Sequence, residues 1–157
     1  MRNVFLAAVA ACCLTAFVPA TAQEMTKVSW SAFGVSFNVP ADLVVEDDSE
    51  EGYIVSNDTY YVNVQILDGE AMDKNAMATE IKQVADDDQL HNQSPVQQFD
   101  LPQFYGAQLK GMTEEEYCLY NYLMSKDDSG GFFVTIIFKD KEDKVPYNII
   151  QSFELAE

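Results

Sequence analysis

The chain has 157 residues, 48% of them hydrophobic, and carries 26 acids against nine bases for a net charge of −17. That imbalance excludes partners gripped through a phosphate backbone or an anionic membrane surface, and leaves cations and positively charged proteins as the charged species it attracts. Arg2 is the only arginine, so no bidentate guanidinium clamp for an anion exists beyond the first residues.

Met1-Arg2-Asn3 is a short positive start, Val4 to Val18 is almost unbroken apolar sequence, and Ala20-Thr21-Ala22 is a small-residue cleavage pattern. This predicts a secretory leader over residues 1–22 and an exported protein, periplasmic or secreted. Val9-Ala10-Ala11-Cys12 is a loose lipobox, but apolar sequence runs on past Cys12 where a lipid-modified leader turns polar. No second apolar run is long enough to span a bilayer. Residues 23–157 then form a single domain, large enough to bury roughly two-thirds of its unfolded surface. Cys118 is the one cysteine left in it, so the domain has no internal disulfide.

"GVSFNVP" sets Val35, Phe37 and Val39 on one strand face, with Pro40 at its end. "LVVE" is a short strand. "GYIVS" and "YYVNVQIL" flank the turn formers Ser56 to Thr59 and predict a hairpin, with Tyr60, Val62, Val64 and Ile66 on one side. The period then becomes helical from Glu70 to about Val84, where Met77, Ile81 and Val84 recur. Asp68 or Gly69 is the expected cap, and Asp86-Asp87-Asp88 the expected end, because acids oppose the dipole there. Residues 89–103 read as a polar connector with a short strand near Val96 to Phe99. "YGAQLKG" and "EYCLYNYLMS" are strands, "DDSGG" a turn, and "FFVTIIF" a strand apolar on both faces and therefore central. "DKEDKVPYNIIQSF" predicts a short helix with Pro146 in its first turn. The sum is an α+β domain: an antiparallel sheet of about six or seven strands packed with two helices in layers.

The order of "VSFNVPADL", a hairpin, one long helix, "YGAQLKG", "YLMS", "GGFFVTIIF" and "YNIIQSFEL" resembles the PsbP-like and DcrB-like domains, over about Val28 to Leu155. The resemblance implies an antiparallel sheet between helices and an exported binding or assembly factor. It brings no catalytic motif with it, and fold alone licenses none.

Several residue groups nevertheless have spacings that chemistry uses. Asp47, Ser49, Glu51, Gly52 and Asp58 fall at positions 1, 3, 5, 6 and 12 of a twelve-residue calcium loop, with the Tyr53 carbonyl as a further oxygen. Their flanks read as strands rather than helices and Asp58 sits in a hairpin turn, so the reading is a solvated acidic turn; weak calcium binding is the alternative. Asp87 and His91 would share a helix face only if the helix ran on. Cys118 has three glutamates close before it and falls with Tyr120, Tyr122 and Met124, which reads as a buried structural cysteine. Tyr53, Tyr60, Tyr61, Tyr105, Tyr117, Tyr120, Tyr122 and Trp30 concentrate in strands and serve either a core or a binding surface.

The expectation is thus an exported, non-catalytic binding or accessory domain without a cofactor, whose partner is another exported or envelope protein and not nucleic acid. The alternatives are a small metal-dependent hydrolase using His91 and nearby acids, and a calcium-stabilised interaction module.

Overall fold

A computed structural model describes residues 22–68 and 71–156. The leader reading over 1–22 therefore lies, except for Ala22, outside the described residues, as do Gly69 and Glu70. The strands are β1 (Met25–Trp30), β2 (Val35–Pro40), β3 (Val44–Asp48), β4 (Tyr53–Ser56), β5 (Tyr61–Ile66), β6 (Gln97–Asp100), β7 (Phe104–Met112), β8 (Tyr117–Ser125), β9 (Gly131–Phe138) and β10 (Glu154–Leu155). The helices are α1 (Lys74–Asp87) and α2 (Val145–Gln151). No helix among the described residues is long and apolar enough to cross a membrane.

Seven strands form one antiparallel sheet in the order β3-β4-β5-β9-β8-β7-β6. The doubly apolar strand β9 stands in its middle, as its composition requires. A second, three-stranded sheet, β1-β2-β10, lies apart from it. Sequence reasoning missed that sheet, since β10 is two residues long and depends on pairing Glu154 and Leu155 with Ser36 and Val35.

Strand alternation sorts the large sheet's side chains into two cores. On one face Val62, Val64, Leu119, Leu123, Phe132, Val134, Ile136 and Phe138 meet Trp30, Val35, Phe37 and Val39 of the small sheet and Ile149, Ile150 and Phe153 in and after α2. Trp30, Phe37, Phe104 and Phe138 are fully buried there, each contributing about 1.5–3 kcal/mol over exposure. Phe37 and Phe153 stack at 4.4 Å between ring centroids. On the other face Ala107, Leu109, Cys118, Tyr120, Tyr122 and Met124 meet Met77, Ile81 and Ala85 of α1.

The first helix begins at Lys74, not Glu70. Asp73 is the cap: its Oδ1 accepts from the backbone N–H groups of Asn75 and Ala76 at 2.9 and 2.8 Å. The preceding Met72 is held instead by Tyr105, whose hydroxyl donates to the Met72 carbonyl at 3.0 Å. The helix runs to Asp87, and its acidic end is offset locally: Lys82 pairs with Asp86, and the Tyr120 hydroxyl donates to Asp88 at 2.7 Å.

Candidate functional site

Helix α1 lies over β7 and β8 and reaches β6. Among the described residues α1 does not pack closely on β3, β4, β5 or β9. The register shows what that half-face presents. Tyr61, Asn63 and Gln65 of β5 stand opposite Ile137, Thr135 and Phe133 of β9, and Ser56 and Ile54 of β4 continue the first two rows. Four residue steps from Tyr61 to Gln65 make this strip about 14 Å long.

A cavity stands at each end. One, of about 490 Å³, is bounded by Gln65, Leu67, Phe133, Tyr122 and the α1 residue Val84, with Glu50, Glu51 and Asp68 on its rim. The other, of about 270 Å³, is bounded by Tyr60, Tyr61 and Ile137, with Asp58, Glu116 and Lys139 beside them. Phe133 joins the covered and uncovered halves, its ring edge-on to Tyr120 and Tyr122 at 5.4 and 5.1 Å. The strip is half-buried and mixed in polarity, and carboxylates border both ends. Near its centre the Asn63 Oδ1 is shut off from solvent and has no hydrogen-bond partner among the described residues. A buried acceptor left so costs stability unless something donates to it.

The calcium-spaced residues are not brought together. Ser49 and Glu51 lie in the β3–β4 turn, while Asp58 lies in the β4–β5 turn. Strand β4 separates the two turns by about 13 Å, whereas ligands to one calcium ion stand about 2.4 Å from it. Ser49 is also engaged: its Oγ accepts from the Glu51 N–H at 3.2 Å, and its carbonyl accepts from the Trp30 indole at 2.7 Å. Asp47 remains half-buried in β3, opposite Ile54. The stretch is an acidic hairpin, and its carboxylates form the rim described above.

His91 is exposed, and its backbone exchanges two hydrogen bonds with Met112 at 2.7 and 2.8 Å. Gln89 has a φ of 56°, so the chain leaves the helical path before His91 and Asp87 is not its one-turn neighbour. Among the described residues, no three His, Cys, Asp or Glu side chains are placed to hold a metal. Cys118 is buried under α1, and burial first, then Glu116 and Asp88, push its thiol up to about 11. Trp30, Tyr53, Tyr60, Tyr120 and Tyr122 belong to the cores; of the tyrosines singled out above, Tyr61 alone stands on the uncovered strip. Sequence reasoning did not find the strip, because finding it requires knowing which half of the sheet the helix covers.

A family described as dihydro-orotase-like matches the chain over residues 4–143. No curated protein sequence matches it. Among solved structures, the Ran-binding protein Mog1p of Saccharomyces cerevisiae matches 87% of this chain and 97% of its own with a TM-score of 0.59 and 6% identity. A single-residue mutant of Mog1 matches 85% of this chain and 97% of its own with a TM-score of 0.58 and 6% identity. A structure from Bacteroides thetaiotaomicron is 16% identical, with 79% of this chain and 46% of that one covered, at a TM-score of 0.48. The likeness to Mog1 establishes the fold alone. It supports the expected resemblance in its coarse form, the sheet-and-two-helix architecture of Mog1 and PsbP-like proteins, without singling out the PsbP-like or DcrB-like branch.

Proposed function

The chain belongs to the dihydro-orotase-like family, and we propose that it acts as an exported, non-catalytic accessory domain. It binds a basic surface of another exported or envelope protein on the uncovered half of its sheet. The observation that carries this reading is the strip from Tyr61 to Phe133, open between two acid-rimmed cavities, while the opposite face packs on the small sheet and α2 and the neighbouring half-face on α1. A half-buried surface with tyrosine and phenylalanine rings suits protein contact, and its carboxylate border favours lysine and arginine opposite it. Mog1p is a Ran-binding protein, so this fold is compatible with a protein-binding role. The leader predicted over residues 1–22 supports export.

The family's description names an enzyme, and the residues that would have to carry such chemistry support the non-catalytic reading. His91 is an exposed residue on a backbone bridge. Cys118 is buried and holds its proton. Among the described residues neither side chain makes a hydrogen bond to an orienting side chain, which general-base or nucleophilic catalysis requires. The test is turnover of dihydro-orotate by the purified protein, with added zinc and with EDTA. The expected result is no turnover in either. Turnover that is lost in His91→Ala would sink the proposal and install the hydrolase reading.

A further inference from the structure

The lysines of this acidic protein are nearly all engaged. Lys27, Lys74, Lys82 and Lys126 pair with carboxylates, the Lys139 ammonium donates to the Asp58 carbonyl, and Lys144 lies over the Tyr147 ring. Lys110 and Lys141 differ. Among the described residues neither has a carboxylate partner, and they line one cavity of about 280 Å³ with Asn92, Gly111, Met112 and Tyr117. No acid lines it.

The donors in that cavity are under-used. Half-buried Lys110 makes a single long bond, Nζ donating to the Lys141 carbonyl at 3.4 Å. The Asn92 amide donates to the Met112 thioether sulfur at 3.5 Å, a weak acceptor. Asn92 reaches this place through a left-handed backbone, φ 49°, a conformation asparagine tolerates better than most residues. Lys110, Lys141 and the Asn92 amide thus line one cavity with few acceptors for their donors among the described residues. Lysines without a carboxylate partner offer charge-assisted hydrogen bonds to an anion.

We propose that this cavity is a binding site for a small organic oxyanion, a carboxylate or a phosphate, held by Lys110, Lys141 and Asn92 with its apolar body against Tyr117 and Met112. The volume is near the lower end of small-molecule sites, about 300 Å³, and fits one ring or a short chain. The chain's overall negative charge does not forbid this. At physiological ionic strength charges beyond a screening length of about 8 Å act weakly, so the two lysines dominate at the site. Lys110 shares its face of β7 with Phe104, while Ala107 and Leu109 on the other face meet α1, so the cavity lies on the other side of the sheet from the uncovered strip. It is independent of the docking reading.

The experiment is an amide NMR titration of the protein with sodium phosphate and, separately, sodium benzoate, each against sodium chloride at equal ionic strength. Saturable shifts are expected at Asn92, Lys110, Gly111, Tyr117 and Lys141 with at least one anion. The stronger of the two identifies the headgroup: phosphate, or a carboxylate with a flat apolar body. Lys110→Gln and Lys141→Gln should each weaken binding by about tenfold, the loss of one charge-assisted hydrogen bond, while Lys110→Arg retains it. Lys141→Gln lies on an exposed loop and keeps the test valid if the β7 variant unfolds. Shifts that saturate with neither anion, or that persist unchanged in the folded Lys141→Gln variant, would overturn the proposal.

Discussion

At Gly106 the neighbouring strands leave no room for a side chain. A Cβ there would sit 2.2 Å from the Tyr122 carbonyl oxygen and 2.6 Å from Cζ of Phe99, the residue paired with it across the β6–β7 ladder. Gly106→Ala must push backbone or ring aside and should destabilise the fold by about 2–3 kcal/mol in urea unfolding. An unchanged midpoint would contradict that packing. Cys118 provides a pH signature. Its thiol is held up at about 11, from an ordinary value of 9.0, chiefly by burial. The folded protein thus keeps the proton more tightly than the unfolded chain does. That stability is fully present below pH 9 and is lost as pH rises through about 11. Tyr60 and Tyr120 are raised as well, by burial and then by their bonds to Asp143 and Asp88, and act in the same direction. Urea midpoints should fall between pH 8 and pH 10.5, and fall less in Cys118→Ala; a flat profile would refute the assignment. At the acidic hairpin, millimolar calcium should leave the melting temperature where EDTA leaves it, because Asp58 stands a strand's length from Ser49 and Glu51. The residue scale was partly legible. The turn formers Ser56 to Thr59 announced a hairpin and so the splitting of the calcium pattern, whereas Gly106 could be explained only once Phe99 was seen to lie over it.

Helix α1 is set by its ends as much as by its buried face. Asp73 satisfies two backbone donors, and Asp73→Ala should cost about 1 kcal/mol. At the other end Asp87 is exposed and accepts only from the Gln83 side chain, with the helix's negative pole beside it. Asp87→Lys should therefore stabilise by about 0.5 kcal/mol at low salt, an effect that added salt removes. Thermal melts of both variants decide, and a stabilised Asp73→Ala or a destabilised Asp87→Lys would show that the ends do not act this way. Strict alternation made β9 readable: Phe132, Val134, Ile136 and Phe138 fall on one face, with Phe133 and Ile137 apolar on the other. The small sheet was not readable. β1 buries only Trp30 of its six residues, and β10 exists through its partner β2 rather than through its own pattern. The helix start shifted by a few residues because two aspartates, Asp68 and Asp73, compete as caps, and the Asp73 bonds to the Asn75 and Ala76 N–H groups show which one the fold uses.

For the molecule as a whole, charge and layering act together. The net charge of −17 was read at once and excluded polyanionic partners. Where that charge matters depended on the fold: one face of the large sheet is closed by the small sheet and α2, half of the other by α1, and the remainder is bordered by Glu50, Glu51, Asp68, Asp58 and Glu116. A partner steered by those acids should bind more weakly as salt rises. The most direct test places a photo-crosslinking amino acid at Thr135, mid-strip, or at Asn148, exposed on α2, in cells producing the protein. The account predicts one discrete protein adduct from position 135, diminished by salt and absent from position 148. No adduct from the strip, or equal adducts from both positions, would contradict it.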